Sequence, residues 1–497
     1  MEADTDPETG FAVDLPDEAA TAALAEDVAA CLAARDVVAL SGGLGGGKTT
    51  FARALLRALA DDPALEVPSP TFTLVQTYAM PRLTVAHFDL YRLTEPDDLN
   101  EIGFFDAAAD GAVIVEWPER AAGCMPAGAL TIVFEIAGVG RRAVIAGGGS
   151  LAARLRRSRA ARAFLDRAAW PRATRRHLQG DASSRTFERV VAGGRRAVLM
   201  DWPPGSQLPK GDARAVYRAR DVRAFLAVDD ALRGVGISAP EIYAADTAAG
   251  FLVMEDLGDE GVVVAGAPDA ERYAVAIEVL AHLHAEKRPD TLPVPDGGNH
   301  RLPVLDVGAL MAEIGNYLDS YIPHAMGRPL TEGARDAFVA VWSNLAGILA
   351  GAERSWVLFD VQSPNLSWLP ERGGIARIGI VDFQDMFFGA SAYDVASLCQ
   401  DARVTVPAPL ERSLRERYVA LRRTADPAFD VDGFARAFAV AAASRATKNL
   451  GTFARLVESG RTSYIKHLPR TREYLARALA NPVLSPLAVW YDDNLIP

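Results

Sequence analysis

A glycine-rich stretch between an apolar run and an amphipathic helix constrains the fold of this chain more than any other feature. Residues 37–50 read Val-Val-Ala-Leu-Ser-Gly-Gly-Leu-Gly-Gly-Gly-Lys-Thr-Thr, which fits the pattern G-x-x-x-x-G-K-[ST] without a gap. Such a loop wraps a phosphate with its backbone N–H groups turned inward, and a Cβ at its glycines would clash or forbid the required backbone angles. The following helix N-terminus adds partial positive charge. The stretch predicts a nucleotide-phosphate site, and a flexible glycine-rich turn is the less favoured interpretation.

The predicted nucleotide-binding residues are the loop glycines and the residues that open the helix. They are Gly42, Gly45, Gly46, Gly47, Lys48, Thr49 and Thr50. In this pattern the lysine reaches the β- and γ-phosphates and the hydroxyl of the next residue binds Mg²⁺. ATP and Mg²⁺ are therefore the expected cofactors, with Thr49 as a predicted metal ligand.

Length, charge and cysteine content narrow the class of protein. A chain of 497 residues suggests two to four domains, and its net charge of −12 argues against broad nonspecific nucleic-acid binding. Cys31, Cys124 and Cys399 form no C-x-x-C pair, so neither a disulfide framework nor a zinc site is indicated. The acidic start of the sequence is unlike a signal peptide, and no apolar run approaches the roughly 20 residues of a membrane span. We therefore expect a cytoplasmic protein with no membrane association.

An apolar run, residues 112–116, ends in an acidic side chain. In a phosphate-loop fold, the tip of the strand beside the phosphates supplies the second contact to Mg²⁺. Glu116 is placed for that role, although Asp is commoner there, and the alternative is a solvated strand end.

Four motifs together resemble TsaE, the ATPase of bacterial tRNA threonylcarbamoyladenosine (t6A) synthesis. They are residues 41–50, Pro-Ser-Pro-Thr-Phe at 68–72, His-Phe-Asp-Leu-Tyr-Arg at 87–92 and Val-Glu-Trp-Pro-Glu at 115–119. The resemblance implies that Thr71 belongs to a nucleotide-sensing loop. It also implies that the catalytic acids Asp89 and Glu116 flank the γ-phosphate and Mg²⁺. It further implies a partner complex, the threonylcarbamoyl transferase and its companion subunit (TsaD- and TsaB-like proteins).

A change of composition predicts a domain boundary. Residues 147–150 are Gly-Gly-Gly-Ser, and the segment 151–162 is rich in Ala and Arg. The segment is interpreted as an exposed linker helix with a solvated charged face rather than a nucleic-acid contact. We predict an α/β phosphate-loop domain at 1–146, a linker at 147–160 and a second domain at 161–497.

The second part begins with another arrangement suited to phosphates. A small-residue loop containing Ser183, Ser184 and Arg185 lies between two predicted strands, and such a hairpin tip can lie over phosphates through its backbone N–H groups. Ordinary hairpins look the same, so this signal is weak alone. Farther along, an apolar run ends at Glu255 in an acidic, glycine-ended connector, which in kinase folds is the hinge beside adenine.

The most specific signal of the second part is a pair of acidic loops. Asp360 is followed five positions later by Asn365, and a predicted hairpin then ends in Val-Asp-Phe, which contains Asp382. This is the catalytic arrangement of kinases. Asp360 would accept the proton of the substrate hydroxyl, and Asn365 with Asp382 would hold Mg²⁺. An ordinary pair of acidic loops is the less favoured alternative.

This part resembles the aminoglycoside-phosphotransferase-like kinases. Among them it is similar to the cell-wall-recycling kinases that phosphorylate the anomeric hydroxyl of N-acetylmuramate and N-acetylglucosamine. The shared segments include Gly-Asp-Ala-Ser-Ser-Arg at 180–185, Val-Leu-Met-Asp at 198–201 and Val-Asp-Phe-Gln-Asp at 381–385. The resemblance implies a bilobal α+β fold, with a small β-rich lobe and a larger helical one, and an amino-sugar substrate.

Two departures from the common kinase pattern leave alternatives open. Met200 stands where most kinases carry a phosphate-binding lysine, although the sugar-kinase branch also tends to have Met there. The segment 358–362, Leu-Phe-Asp-Val-Gln, lacks the basic residue and the histidine that usually flank the catalytic aspartate. Phosphate clamping would then depend on Mg²⁺ and the 181–185 loop. The alternatives are a kinase for an amino alcohol and a noncatalytic pseudokinase that regulates the ATPase.

Overall fold

The computed structural model describes residues 10–178, 185–206, 214 and 217–494. Its internal contacts divide the chain into two compact units. The first comprises the chain up to Asp201 together with Ile242–Asp246 and Phe251–Glu255. The second comprises Trp202–Glu241, Thr247–Gly250 and the chain from Asp256 onward.

The first unit contains a seven-stranded mixed sheet in the order β1-β7-β6-β2-β5-β4-β3. Its strands are β1 Phe11–Leu15, β2 Val37–Gly42, β3 Val75–Ala79, β4 Thr84–Asp89, β5 Ala112–Glu116, β6 Leu130–Ala137 and β7 Gly140–Gly147. The central strands β2, β5 and β4 run parallel, as does the pair β2 and β6. Because parallel strands end at the same edge of a sheet, the phosphate loop after β2 and Glu116 at the end of β5 lie together.

Helices cover both faces of this sheet. They are α1 Glu18–Cys31, α2 Lys48–Ala60, α3 Asp98–Glu101, α4 Phe104–Asp110 and α5 Gly149–Arg167. One apolar core lies under α1, α2 and α5, and the other lies under α3 and α4. Helix α1 begins after Asp17, whose carboxylate accepts a hydrogen bond from the Ala20 amide at 2.7 Å.

Helix α5 occupies the segment predicted as a linker, and its charged face is not solvated as expected. Its apolar residues, among them Leu155 and Leu165, are buried. Its arginines pair with acids of the same unit: Arg162 with Asp27 at 2.7 Å and Arg157 with Asp201. The predicted helix is therefore present but packed, and two of its arginines form ion pairs within the unit. The domain limits themselves stay a prediction.

The first unit also contains an antiparallel five-stranded sheet in the order β11-β12-β10-β9-β8. Its strands are β8 Thr174–Leu178, β9 Thr186–Ala192, β10 Arg195–Asp201, β11 Ile242–Asp246 and β12 Phe251–Met254. The Phe164 ring of α5 stacks on Phe251 of β12, with ring centroids 5.7 Å apart. Helix α5 thus contacts both sheets of this unit.

The second unit is mainly helical. Its helices are α6 Val222–Gly234, α7 Ala270–His284, α8 Val307–Asn316, α9 Ile322–Met326, α10 Glu332–Ala350, α11 Ala392–Cys399, α12 Ala408–Ala425, α13 Val431–Glu458, α14 Leu468–Leu479 and α15 Ser485–Asn494. Its short strands are β13 Val263–Val264, β14 Ala267–Pro268, β15 Thr291–Pro293, β16 Asn299–Arg301, β17 Arg354–Val357, β18 Leu366–Trp368, β19 Ile378–Ile380 and β20 Phe387–Ala390. The alanine-rich α13 packs against α8, α11 and α14. In the described ranges, no helix is both long and apolar enough to cross a membrane.

Candidate active sites

The phosphate loop connects β2 to α2, and at two of its glycines any other residue would be strained. Gly42 has φ +131°, and a Cβ there would lie 2.5 Å from the carbonyl oxygen of Phe134. Gly47 has φ +107°, and a Cβ there would lie 3.1 Å from the side chain of Arg141. The sequence predicted this loop from the same two requirements: backbone angles that only glycine adopts easily, and neighbouring atoms too close to leave room for a Cβ.

Lys48 lies at the start of α2 and folds back over the loop. Its Nζ donates to the carbonyl oxygens of Gly42 and Gly43 at 2.7 and 3.0 Å, and lies 3.5 Å from the Trp117 ring centroid. Burial lowers the pKa of Lys48, whereas the nearby Glu116 carboxylate opposes that shift. The ammonium group is thus held in a partly dry position at the loop, where a phosphate oxygen is a stronger partner than a carbonyl.

Glu116 connects the end of β5 to two predicted elements of the site. One carboxylate oxygen accepts from the Thr49 hydroxyl at 2.7 Å, and the other lies 3.0 Å from Nε2 of the buried His87. The structure therefore brings Thr49 and Glu116 together, as a shared metal would require. His87 holds the carboxylate from the side away from the loop.

Asp89 ends β4 directly beside Glu116, with which it is paired in register. Its carboxylate accepts from the hydroxyls of Ser69 and Thr71 at 3.0 and 2.6 Å. Thr50, Thr71, Asp89 and Glu116 all line one cleft of about 300 Å³ over the phosphate loop. The cleft thus contains the predicted nucleotide-sensing loop and both predicted catalytic acids.

Arg141 and Trp117 also belong to this region, and sequence reasoning gave neither a role. The Arg141 guanidinium donates to the carbonyl oxygen of Gly45 at 3.1 Å from the outer side of the loop. Trp117 has a left-handed backbone, with φ +59°, that turns its ring toward Lys48. Both residues lie far from the loop in sequence, so the loop motif could not predict these contacts.

The second predicted phosphate-binding loop is described only in part. Ser183 and Ser184 lie outside the described residues. The Arg185 guanidinium lies 5.7 Å from the Phe187 ring centroid. Met200 is fully buried in β10, opposite Phe187 and Leu252. Glu255 directly follows β12, the position predicted for a hinge.

The paired loops of the second unit are joined by a short hairpin. Strand β18 begins immediately after Asn365, β19 ends two residues before Asp382, and Leu366 pairs with Ile380. The Asn365 side-chain amide donates to the backbone carbonyl of Asp360 at 2.8 Å, which leaves its own carbonyl oxygen for another partner. The hairpin therefore places Asn365 and Asp382 together at its open end, and the Asn365 hydrogen bond connects them to Asp360.

Buried acids fix the loop that carries Asp360. Asp394 of α11 accepts from the backbone N–H groups of Leu358 and Phe359 at 2.6 and 3.0 Å. Asp401 accepts from the Ser363 amide at 2.6 Å. These carboxylates hold the loop through its backbone and so fix the position from which the Asp360 side chain projects.

Cations from distant parts of the chain surround Asp360. Lys448 Nζ lies 3.3 Å from its carboxylate and Arg445 lies 3.5 Å from it, both on α13. Burial opposes ionisation, but Lys448, Arg445 and Arg218 hold the pKa of Asp360 well below its usual range. The basic residue that the segment 358–362 lacks is thus replaced by residues that sequence reasoning missed.

Comparisons with known proteins agree with this geometry. The model of the phosphotransferase enzyme family matches residues 174–431. A protein named N-acetylmuramate/N-acetylglucosamine kinase from Caulobacter vibrioides is 34% identical over 357 residues, which cover 68% of this chain and 96% of that protein. The chain belongs to the phosphotransferase enzyme family. A kinase of the same name from Pseudomonas aeruginosa is 31% identical over 62% of this chain and 84% of its own length.

The N-terminal region matches a different model, the threonylcarbamoyl adenosine biosynthesis protein TsaE, over residues 15–144. The TsaE protein of Rickettsia felis is 39% identical over 105 residues, which cover 21% of this chain and 61% of that protein. The predicted fusion of a TsaE-like region with a phosphotransferase region is therefore confirmed. The chain combines a member of an ATPase family with a kinase.

The predicted metal ligands suit Mg²⁺ in both regions. Each set combines one carboxylate with one neutral oxygen: Glu116 with the Thr49 hydroxyl, and Asp382 with the Asn365 amide. Among the residues that the structure describes, no three His, Cys, Asp or Glu side chains are arranged to hold a metal. Magnesium is commonly bound through one or two carboxylates, water and substrate phosphates, so both donor sets fit an ion that arrives with a nucleotide.

Proposed function

We propose that this phosphotransferase-family protein has two ATP-dependent functions. Its C-terminal part transfers the γ-phosphate of ATP to the anomeric hydroxyl of N-acetylmuramate or N-acetylglucosamine, as a step of cell-wall recycling. Its N-terminal part hydrolyses ATP in support of tRNA t6A formation. The observation that carries the first function is that the β18–β19 hairpin places Asn365 and Asp382 together, with Asn365 bonded to Asp360, in a chain that aligns with 96% of the length of a protein named as a sugar kinase.

In the kinase reaction, the acceptor oxygen forms a bond to the γ-phosphorus while the bond to the bridging oxygen of ADP breaks. Asp360 takes the proton that the hydroxyl loses. A hemiacetal hydroxyl is more acidic than an ordinary alcohol, so a carboxylate of low basicity suffices as this late-acting base. Mg²⁺, when held by Asn365 and Asp382, would neutralise charge on the transferring phosphate.

The acceptor is tested with the full chain by following transfer of labelled γ-phosphate. N-acetylmuramate, N-acetylglucosamine, choline, homoserine and an aminoglycoside are offered in parallel, and sugar 1-phosphate is expected as the main product. Asp360→Asn, which keeps the side-chain shape, is the matched inactive control. Preferred phosphorylation of an amino alcohol would replace the sugar assignment. Binding of Mg·ATP without transfer to any acceptor would support the pseudokinase alternative.

For the N-terminal part, the carrying observation is the set of contacts from Thr49 to Glu116 to His87, with Asp89 alongside. We propose that this site works on a threonylcarbamoyl transferase and its companion subunit, TsaD- and TsaB-like proteins. Both functions consume ATP, and we place the protein in the cytoplasm.

The t6A function is tested in bacterial cells depleted of their own TsaE. The full chain should restore t6A, measured by mass spectrometry of digested tRNA, and Glu116→Ala should not. Asp360→Asn is the matched control, because it should restore t6A while disabling the kinase. If the folded wild-type chain does not bind the transferase complex, the t6A function is wrong and the N-terminal part is a nucleotide-binding module with another role.

A further inference from the structure

Within the second unit, a row of alternating charges runs inward from Asp360. Lys448 Nζ lies 3.3 Å from the Asp360 carboxylate and 3.2 Å from that of Glu313 on α8. Glu313 in turn accepts from Arg218 at 2.9 Å. Arg218 also pairs with Asp385 at 2.7 Å. Asp360, the proposed proton acceptor, lies at one end of this row.

Lys448 and Glu313 are more deeply buried than Asp360. The side chain of Asp360 is 25% exposed, that of Lys448 is 11% exposed and that of Glu313 is 3% exposed. The ammonium group therefore approaches Asp360 from behind and leaves the open side of the carboxylate for an acceptor. The Phe359 ring, 3.9 Å from Nζ, covers one side of the ammonium group.

The two cations of α13 share Asp360 as a partner but differ in their other contacts. Arg445 donates to the backbone carbonyl of Phe359 at 2.6 Å, a contact that fixes the loop itself. Lys448 contacts carboxylates and the face of Phe359. A lysine that served packing alone would leave its charged group toward water, because desolvating an ammonium costs several kcal/mol unless it is paired.

We propose that Lys448 is the positioning residue of phosphoryl transfer, holding the Asp360 carboxylate toward the acceptor hydroxyl, with Glu313 fixing Lys448. This inference rests on the role proposed for Asp360. During transfer, the hydroxyl proton passes to Asp360 as the oxygen–phosphorus bond forms and ADP leaves, and Lys448 keeps its protons.

The test compares Lys448→Met and Lys448→Arg in the full chain, with labelled phosphate transferred to whichever acceptor the wild type uses. Lys448→Met should lower kcat about 100-fold, the usual effect of losing one preorganised electrostatic contact. Its KM for Mg·ATP should stay near the wild-type value. Lys448→Arg should recover most of the loss. Lys466→Met, the same change at an exposed site, should behave as wild type.

A double variant separates positioning from general disturbance. If Lys448 acts through Asp360, adding Lys448→Met to Asp360→Asn should change the residual single-turnover rate by less than about threefold, because coupled residues are not additive. A wild-type kcat in Lys448→Met would overturn the proposal. A raised KM for Mg·ATP with an unchanged kcat would also overturn it. So would a double variant whose rate falls by the product of the two single-variant losses.

Two further substitutions test the inference if Lys448→Met does not fold. Lys448→Gln keeps most of the side-chain length, and Glu313→Gln removes the charge that fixes the ammonium group. Each should lower kcat without raising KM for Mg·ATP, and an unchanged kcat in Glu313→Gln would also contradict the inference. If the wild type phosphorylates an amino alcohol and no sugar, the proposed substrate is wrong, but the comparison at Lys448 still decides this inference.

Discussion

Arg175 of β8 and Asp27 of α1 form a buried ion pair, with 2.8 Å between nitrogen and oxygen, although 148 positions separate them in sequence. Arg175 also makes a bidentate pair with Glu188 of β9. This cluster joins the helix layer of the phosphate-loop sheet to the five-stranded sheet within the first unit.

Arg175→Met should destabilise the first unit strongly. Removing one partner of a buried pair leaves uncompensated charge and costs about 3 kcal/mol or more. Urea unfolding with hydrogen exchange of the α1 and β8 peptides measures the effect. Arg176→Met is the matched control, since its pair with Asp61 is about half exposed and should be worth less than about 1 kcal/mol. Equal urea midpoints for Arg175→Met and Arg176→Met would show that the buried cluster does not stabilise the unit more than an exposed ion pair does.

Lys48→Ala should abolish ATP hydrolysis by the phosphate-loop region. The loss of the cation at the phosphates should lower the rate by about 100-fold or more. Hydrolysis is measured in the full chain carrying Asp360→Asn, so that the kinase does not contribute. Lys287→Ala, at an exposed position, is the control for the chemical change. Unaltered hydrolysis in a folded Lys48→Ala chain would remove the phosphate loop from the proposed site.

Substitution of Asp382 should affect Mg·ATP binding, whereas substitution of Asp360 should affect turnover. Asp382→Asn should weaken Mg·ATP binding about tenfold or more, since a hydrogen bond or contact to a charged group is worth about 1.5–3 kcal/mol. Asp360→Asn should leave nucleotide binding nearly intact and remove turnover, because its role belongs to the transition state. Calorimetric titration against Mg·ATP distinguishes them, with exposed Asp336→Asn as control. Identical nucleotide affinities in the Asp382 and Asp360 variants would reject these separate roles.

His467 should make stability depend on pH in the mildly acidic range. Burial, assisted by Arg470, Arg403 and Lys466, lowers the pKa of His467 to about 4. A histidine whose pKa is lower in the folded state than in the unfolded state favours unfolding when it is protonated. The wild-type chain should therefore lose stability as pH falls from about 6.5 to about 4.

Urea midpoints at several pH values measure this dependence. His467→Gln should flatten the profile between pH 6.5 and 4, whereas the matched substitution of an exposed histidine, His324→Gln, should leave it as in the wild type. A profile of unchanged slope in a folded His467→Gln chain would show that other groups control the acid range.

The parts of the sites that sequence predicted are those set by local spacing. The phosphate loop needs glycines at fixed offsets between a strand and a helix, and Asp360, Asn365 and Asp382 are connected by one short hairpin. Lys448 could not be found in this way, because 88 positions separate it from Asp360 and nothing in α13 distinguishes it from a surface lysine.

Smaller differences have local causes. Proline is favoured in the first turn of a helix, but Pro16 lies just before α1, because Asp17 caps the helix and the first turn begins at Glu18. Residues 72–78 alternate as in a strand, but β3 begins only at Val75 and Phe72 is largely exposed. A turn comes first: the Leu74 amide donates to the Pro70 carbonyl oxygen at 2.6 Å, and Leu74 has a left-handed backbone with φ +64°.

Helix α5 makes the fused gene difficult to divide. Its Leu155 lies in the core of the phosphate-loop sheet, while its Phe164 stacks on β12 of the other sheet. A gene cut before codon 149 would leave the first product without a buried helix, and a cut after codon 167 would expose the second product's sheet. Proteolysis within α5 would do the same to the finished protein. Any attempt to separate the ATPase from the kinase must therefore supply this helix to both fragments or redesign the surface that it leaves.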